Sequence, residues 1–202
     1  LKMSIILLLL RLPILVVHIL VGLFTILFFP KEPKNFKNSH YRIMMLWMNI
    51  LSSILGIKVD IRGIPDQSAN LFVSNHVTYL DIIIINKLLP VNFIAKEEIS
   101  SWPVIGRLAS KTGTLFIKRG DNVESSKMIY EMEERFKLQN KIVFFPEGKI
   151  GNGKRVRKFH YKLFKSIENK ELYIQPIAIR YPTGYPINNN YSEIISDKSL
   201  KG

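Results

Sequence analysis

The sequence predicts an α/β domain, a mixed central sheet flanked by helices, preceded by a membrane-associated helical hairpin. Three observations point there. From Ile57 onward, short β-type runs alternate with helical ones, the pattern of a sheet covered by its own crossover helices. From Met3 to Phe29 the only strongly polar interruptions are Ser4, Arg11, His18 and Thr25. A second amphipathic run, Tyr41 to Ile57, carries Met44, Met45, Leu46, Trp47, Met48, Ile50, Leu51, Ile54 and Leu55.

The apolar start comes first in the chain. A spanning helix wants ~20 apolar residues, and the uncharged run Leu12 to Phe29 approaches that length, interrupted by Pro13 and His18. Spanning the bilayer and dipping into it both remain open. Pro30-Lys31-Glu32-Pro33-Lys34 reads as a turn, so residues 1–56 form a two-helix hairpin pressed into one leaflet. Lys31, Lys34, Lys37 and Arg42 then rest at phosphate level. A cleaved signal peptide and a buried core helix are the alternatives; no small-residue cleavage site follows the apolar run. The chain opens on Leu1, consistent with an unusual start or with a piece of a longer protein.

Residues 57–202 are expected to form the α/β domain. Candidate strands are Lys58 to Arg62, Leu71 to Ser74, Asn92 to Ala95, Thr114 to Lys118, Lys141 to Phe145 and Tyr173 to Ile179. Candidate helices start near Thr78, Trp102-Pro103, Asn122 and Phe159. Asn122 can cap the third, in which Val123, Met128, Ile129, Met132 and Phe136 return at helical spacing. The tail from Tyr181 to Gly202, rich in Pro, Gly, Asn and Ser, is expected to be loop.

Composition narrows the chemistry. With 202 residues, 47% of them hydrophobic, one ordinary domain can bury a full core. The absence of cysteine excludes disulfides, cysteine-ligated zinc and thiol nucleophiles. Against 16 acidic residues stand 29 Lys and Arg, a net +13 that draws the protein to polyanions, and a mean hydropathy of +0.11 favours a membrane among them.

Ser74-Asn75-His76-Val77-Thr78-Tyr79-Leu80-Asp81 joins the second strand to its helix. On one regular helix His76 and Asp81 would diverge by ~140°. They can meet only with His76 in the loop and Asp81 in the first helical turn. There the carboxylate would orient the imidazole, fix its tautomer and make it a better base. The plainer reading makes Thr78 an N-cap and Asp81 its capping-box partner. No Gly-x-Ser-x-Gly elbow occurs, so the nucleophile is expected to be a substrate hydroxyl. Downstream, Lys118-Arg119-Gly120 and Pro146-Glu147-Gly148-Lys149 each close a strand, where open sheets bind ligands. Arg119 suits a phosphate through its planar fork, and Lys118 adds a point charge. Between Gly148 and Ile167 no acidic residue relieves Lys149, Lys154, Arg155, Arg157, Lys158, Lys162 and Lys165. That run is either a solvated or lipid-facing basic face or a docking surface for phosphate and carrier, with Glu147 positioning its cations.

In order, these segments resemble the glycerolipid acyltransferase family, whose best-known members acylate lysophosphatidic acid to phosphatidic acid. Asn75-His76 with Asp81 looks like its His-x4-Asp block, and Gly113 to Arg119 like its second. Phe145-Pro146-Glu147-Gly148 looks like the third and Ile174-Gln175-Pro176-Ile177-Ala178 the fourth. The resemblance implies that His76, oriented by Asp81, deprotonates the acceptor hydroxyl as it attacks an acyl thioester, with no metal, no cofactor and no acyl-enzyme. Asn75, Lys118, Arg119, Gly120, Glu147, Gly148 and Lys149 would hold the acceptor, and Pro176 would shape the acyl-binding floor. The donor would be acyl-CoA or acyl carrier protein. The partners would be membrane lipids and a lysophospholipid, without nucleic acid, at the cytoplasmic face of the cell membrane. Lys149-Ile150-Gly151 stands where Thr-Arg-Ser often follows Pro-Glu-Gly, which leaves another lysolipid, such as lyso-ornithine lipid, as an alternative acceptor. A non-catalytic, basic, anionic-lipid-binding protein is the rival from another class, and a thioester hydrolase a further one.

Overall fold

The computed structural model describes residues 2–32, 36–118, 122–151, 157–181, 191–196 and 200–201. Two helices come first, α1 (Lys2–Thr25) and α2 (Asn38–Ile54), then β1 (Lys58–Arg62), β2 (Ala69–Ser74), α3 (Leu80–Leu88) and β3 (Val91–Lys96). A 3-10 turn (Glu97–Ser101) leads to α4 (Ile105–Lys111), β4 (Leu115–Ile117), α5 (Asn122–Lys137) and β5 (Lys141–Phe144). A 3-10 helix (Tyr161–Ser166), β6 (Tyr173–Arg180), β7 (Tyr191–Ser196) and β8 (Leu200–Lys201) complete the described elements. The sheet order is β1-β7-β6-β2-β5-β3-β4, with β8 also paired to β6. From β6 to β4 the strands are parallel; β7 runs antiparallel to β6 and parallel to β1.

Parallel strands buried on both faces need continuous apolar runs, and Leu71-Phe72-Val73 and Ile142-Val143-Phe144 supply them. Their alternation divides the core. Phe72, Val143, Ile177 and Ile179 pack with Ile84 and Ile85 of α3 on one face. Leu71, Val73, Ile142 and Phe144 pack with Met128, Met132 and Phe136 of α5 on the other. Each such side chain stabilises the fold by roughly 1.5–3 kcal/mol relative to exposure. Val123, grouped by spacing with that apolar stripe, is instead 69% exposed.

The hairpin is laid against the α3 face. α2 packs on α3, with Tyr41 Oη donating to Asn92 Oδ1 near one end (3.0 Å) and Lys87 Nζ donating to Ser52 Oγ near the other (3.0 Å). α1 rests on α2: the Trp47 ring stacks on His18 at 4.5 Å and occupies the space a side chain at Gly22 would need. At the opposite end the Arg11 guanidinium lies against Gly56, beside the C-terminus of α2, where a cation complements the exposed carbonyls. Within α1 and the turn after it, Leu9–Phe28 is long and apolar enough to cross a membrane and is only 17% buried, unlike a core helix.

Three expectations change. The segment expected to be a helix from Phe159 is a 3-10 helix over Tyr161–Ser166. The helix expected from Trp102-Pro103 starts at Ile105, because Val104 turns the chain with φ +65°. The tail expected to be loop contributes β7 and β8. Its loop-forming residues crowd into 182–190, whereas Tyr191, Ile194 and Ile195 fit a strand and fill the gap between β1 and β6.

Candidate active site

β2 ends at Ser74, and after five intervening residues α3 begins at Leu80; this short bend sets both candidate side chains. His76 Nδ1 lies 2.8 Å from Asp81 Oδ2. The same oxygen accepts the backbone N–H of Val77 (2.7 Å) and of Thr78 (3.0 Å), while Oδ1 accepts the Tyr181 hydroxyl at 2.6 Å. Asp81 is fully buried, and a buried carboxylate needs such donors to offset lost hydration. With three groups already donating, Nδ1–H of His76 is the consistent fourth donor, which leaves Nε2 carrying the lone pair. The contact expected between His76 and Asp81 is present, and the same carboxylate takes the N–H of Thr78; the expected capping box is not, because Tyr79 is the N-cap residue of α3 and no side chain caps it.

The imidazole is held on its flat side too. Phe145 stacks on it with ring centroids 4.0 Å apart and planes within 15°. Some 13% of the His76 side chain stays exposed, so the ring is anchored but not sealed.

Residues 145–151 fold around the same loop. Glu147 is 4% exposed; its Oε1 accepts the backbone N–H of His76 (3.1 Å) and its Oε2 that of Arg157 (2.9 Å). Gly151 N–H donates to the His76 carbonyl at 2.6 Å, and His160 N–H to Pro146 O at 2.8 Å. Gly148 takes φ +69°, a left-handed conformation glycine adopts freely, as its N–H closes onto Phe145 O. Both Glu147 oxygens thus accept backbone donors from two loops, so the side chain braces the histidine loop.

The other expected residues divide. Asn75 spends its amide on β6, donating from Nδ2 to Ile179 O (2.9 Å) and accepting Ile179 N–H (2.7 Å); it ties the loop to the sheet. Lys118 and Lys149 are exposed at the ends of β4 and of the 145–148 segment. Arg119 and Gly120, with Lys154 and Arg155, lie outside the described residues. Pro176 stands opposite Val73 on one side; on the other it falls between the pairing of β6 with β8 and that with β7. A missing N–H is tolerated there.

Tyr181 was missed. Nothing in local periodicity links it to a carboxylate 100 positions earlier; its only signal is its place just after β6, at the rim where β2 also ends. Burial, with the nearby Asp81 carboxylate, pushes the phenol well above its ordinary value, so it stays a donor. On the α3 face a cavity of about 320 Å³ is lined by Phe72, Ile85, Leu88, Leu89, Gln175 and Ile177. Among the described residues no group of three or more His, Asp and Glu side chains gathers to hold a metal ion.

The Acyltransferase family model matches residues 57–180, a span that includes the His76–Asp81 pair, Phe145, Glu147 and Pro176. The chain belongs to the Acyltransferase family. This acyltransferase-family chain is 35% identical over 140 residues to the lyso-ornithine lipid O-acyltransferase of Pseudomonas aeruginosa, covering 69% of this chain and 54% of that protein. It is 30% identical over 147 residues to the 1-acyl-sn-glycerol-3-phosphate acyltransferase of Neisseria gonorrhoeae, covering 72% of this chain and 57% of that one. The chain thus spans about half the length of the curated relatives it matches. Its fold matches the crystal structure of the 1-acyl-sn-glycerophosphate acyltransferase PlsC from Thermotoga maritima with a TM-score of 0.71, at 18% identity, over 99% of this chain and 86% of that one.

Proposed function

We propose that this chain transfers a fatty acyl group from a thioester, acyl-CoA or acyl carrier protein, to the free hydroxyl of a lysolipid. The observation that carries this reading is the 2.8 Å contact that turns His76 Nε2 into the free basic nitrogen. Nε2 takes the proton of the acceptor hydroxyl as its oxygen attacks the thioester carbonyl. Asp81 stabilises the imidazolium that forms. Collapse of the tetrahedral intermediate breaks the C–S bond, and the departing thiolate recovers the proton from His76. General base catalysis of this kind contributes roughly 10²–10⁴-fold. No side chain is acylated and no metal is required.

Two readings of the acceptor follow. Lysophosphatidic acid fits Lys118 and Lys149 with Arg119 as phosphate partners, and fits the name of the Neisseria relative. Lyso-ornithine lipid is favoured by Lys149-Ile150-Gly151 and by the name of the Pseudomonas relative; Gly151 moreover gives its N–H to His76, not to a ligand. The cavity beside Gln175 and Ile177 suits part of an acyl chain; Pro176, between them along β6, is not among its lining residues. α2 is tied to the domain at both ends and α1 runs against it, which favours a hairpin lying in one leaflet, at the cytoplasmic face where water-soluble donors are found.

The test is transfer of a labelled acyl chain from each donor to lysophosphatidic acid and to lyso-ornithine lipid, with product identification. Labelled phosphatidic acid or ornithine lipid selects the acceptor. Release of free fatty acid alone, unaffected by either lysolipid, would replace the proposal with a thioester hydrolase.

A further inference from the structure

We propose that Tyr79, Trp102, Val104 and Ile105 form a second membrane-contact surface, an apolar lip beside the His76 site that dips into the phospholipid bilayer and lets the acceptor reach His76 without leaving the membrane. The proposal rests on the lysolipid reading given above.

These four side chains are 55%, 40%, 38% and 54% exposed. Single exposed apolar residues are ordinary, but a contiguous group marks an interaction surface. Contiguity here is direct: Trp102, Val104 and Ile105 are near neighbours in the chain, and the Tyr79 ring meets that of Trp102 at 6.0 Å. Tyr79 is three positions beyond His76, on the catalytic bend itself.

The backbone is constrained to hold them there. Val104 has φ +65° and ψ −64°, a conformation that a β-branched residue adopts only at a cost. It is held by Ile105 N–H donating to Pro103 O (2.7 Å) and Gly106 N–H to Trp102 O (3.0 Å). Gly106 packs so closely on the preceding turn that an added Cβ would lie 2.2 Å from Ser100 O, so the two segments are locked together. Strain kept at a solvent-facing valine is hard to explain by folding alone, which would be served as well by a polar residue or glycine. A bilayer that receives Val104 and Ile105 explains it.

The partner follows from the topology. The crossovers β2-α3-β3 and β3-α4-β4 run in the same direction along the sheet. Such connections are right-handed, so α3 and α4 lie on one face. That face also carries α2 and, packed on it, α1, whose Leu9, Leu12, Val16, Leu20 and Phe24 are exposed. The lip therefore shares a side with the apolar helix, opposite α5 and the 3-10 helix 161–166. Trp and Tyr with aliphatic neighbours are the residues that settle at a bilayer interface. The exposed carboxylates of Glu97 and Glu98 in the preceding turn mark where the lip returns to water.

The chain has two tryptophans, Trp47 and Trp102, so Trp47→Phe leaves Trp102 as the only one. The full chain with this change is reconstituted in vesicles of phosphatidylcholine and phosphatidylglycerol, with or without brominated acyl chains. The expected result is blue-shifted emission that brominated lipid quenches. Emission that bromine does not touch overturns the proposal, whether Trp102 then sits in water, against a second copy or under a carrier protein. In a second arm, Ile105→Glu should lower the rate on a long-chain acceptor embedded in vesicles about tenfold, the order expected when an apolar contact with lipid is lost. The rate on a short-chain acceptor dissolved as monomer should stay within about twofold. Equal losses on both acceptors, or none on either, overturn the entry route. If no lysolipid is acylated at all, the functional reading fails while the fluorescence arm still decides the lip.

Discussion

Replacing Asp81 with asparagine tests the catalytic pair with little change of shape. The carboxylate accepts from His76, Val77 and Thr78 on one oxygen and from Tyr181 on the other. Asparagine can keep its single oxygen toward the first three and turn its amide toward Tyr181, whose hydroxyl oxygen can accept. The fold should therefore survive at a cost of about 1–2 kcal/mol, one altered buried hydrogen bond. What cannot survive is the charge facing the imidazolium. With Nδ1 and Oδ2 2.8 Å apart the charge centres lie ~4 Å apart, and at an effective dielectric near 20 their attraction is about 4 kcal/mol. At about 1.4 kcal/mol per tenfold, kcat should fall by roughly 10³, with KM for donor and acceptor changed by less than about threefold. Steady-state kinetics on Asp81→Asn, alongside a melting curve to show that it folds, makes the comparison. A folded variant that loses less than tenfold in kcat would refute the claim that Asp81 supports a charge developing on His76.

Three further outcomes follow from the same contacts. Tyr181→Phe removes the donor on Oδ1 and should cost about 1.5–3 kcal/mol of stability, measured by denaturant titration. Because folding raises the phenol's pKa, the unfolded chain alone loses that proton above about pH 10, and stability is lost as pH rises further. The wild type should therefore lose stability more steeply than Tyr181→Phe above pH 10; parallel curves would contradict the buried phenol. Glu147→Gln puts an amide donor against a backbone N–H, so both the melting temperature and kcat should drop, by about 1–3 kcal/mol in stability. A raised acceptor KM with unchanged melting would make Glu147 a ligand for substrate and not a brace. Asn75→Ala strands the N–H and C=O of Ile179 and should destabilise by about 2 kcal/mol or more; an unchanged unfolding midpoint would count against the tie to β6.

Local patterning made much of the architecture legible. Lys58–Arg62 is a strand with the expected ends, and the buried runs at 71–74 and 141–144 are the core strands, because continuous β-branched and aromatic residues can be satisfied only by burial on both faces. His76 and Asp81 could meet only with one in a loop and the other in the first helical turn, and that is where their 2.8 Å contact lies. The expected capping box is absent, and the carboxylate has room for four donors. What remained illegible depends on distant partners. Tyr181 reaches Asp81 across 100 positions, and Glu147 and Asn75 have their hydrogen bonds taken by backbone groups that no spacing rule connects to them. β7 escaped because its strand residues share a segment with turn formers, and besides its neighbour β6 it pairs with β1, far away in sequence. Val104 escaped because a valine at positive φ runs against the residue's own preference.

The most direct trial of the account is a single-turnover measurement of labelled acyl transfer from a thioester donor to a lysolipid in vesicles, with the wild-type chain and with His76→Ala. Rapid formation of labelled diacyl lipid by the wild type, and a rate at least about 10²-fold lower in a folded His76→Ala, is the predicted result. A folded His76→Ala that transfers the acyl chain as fast as the wild type would mean that the proton is taken elsewhere.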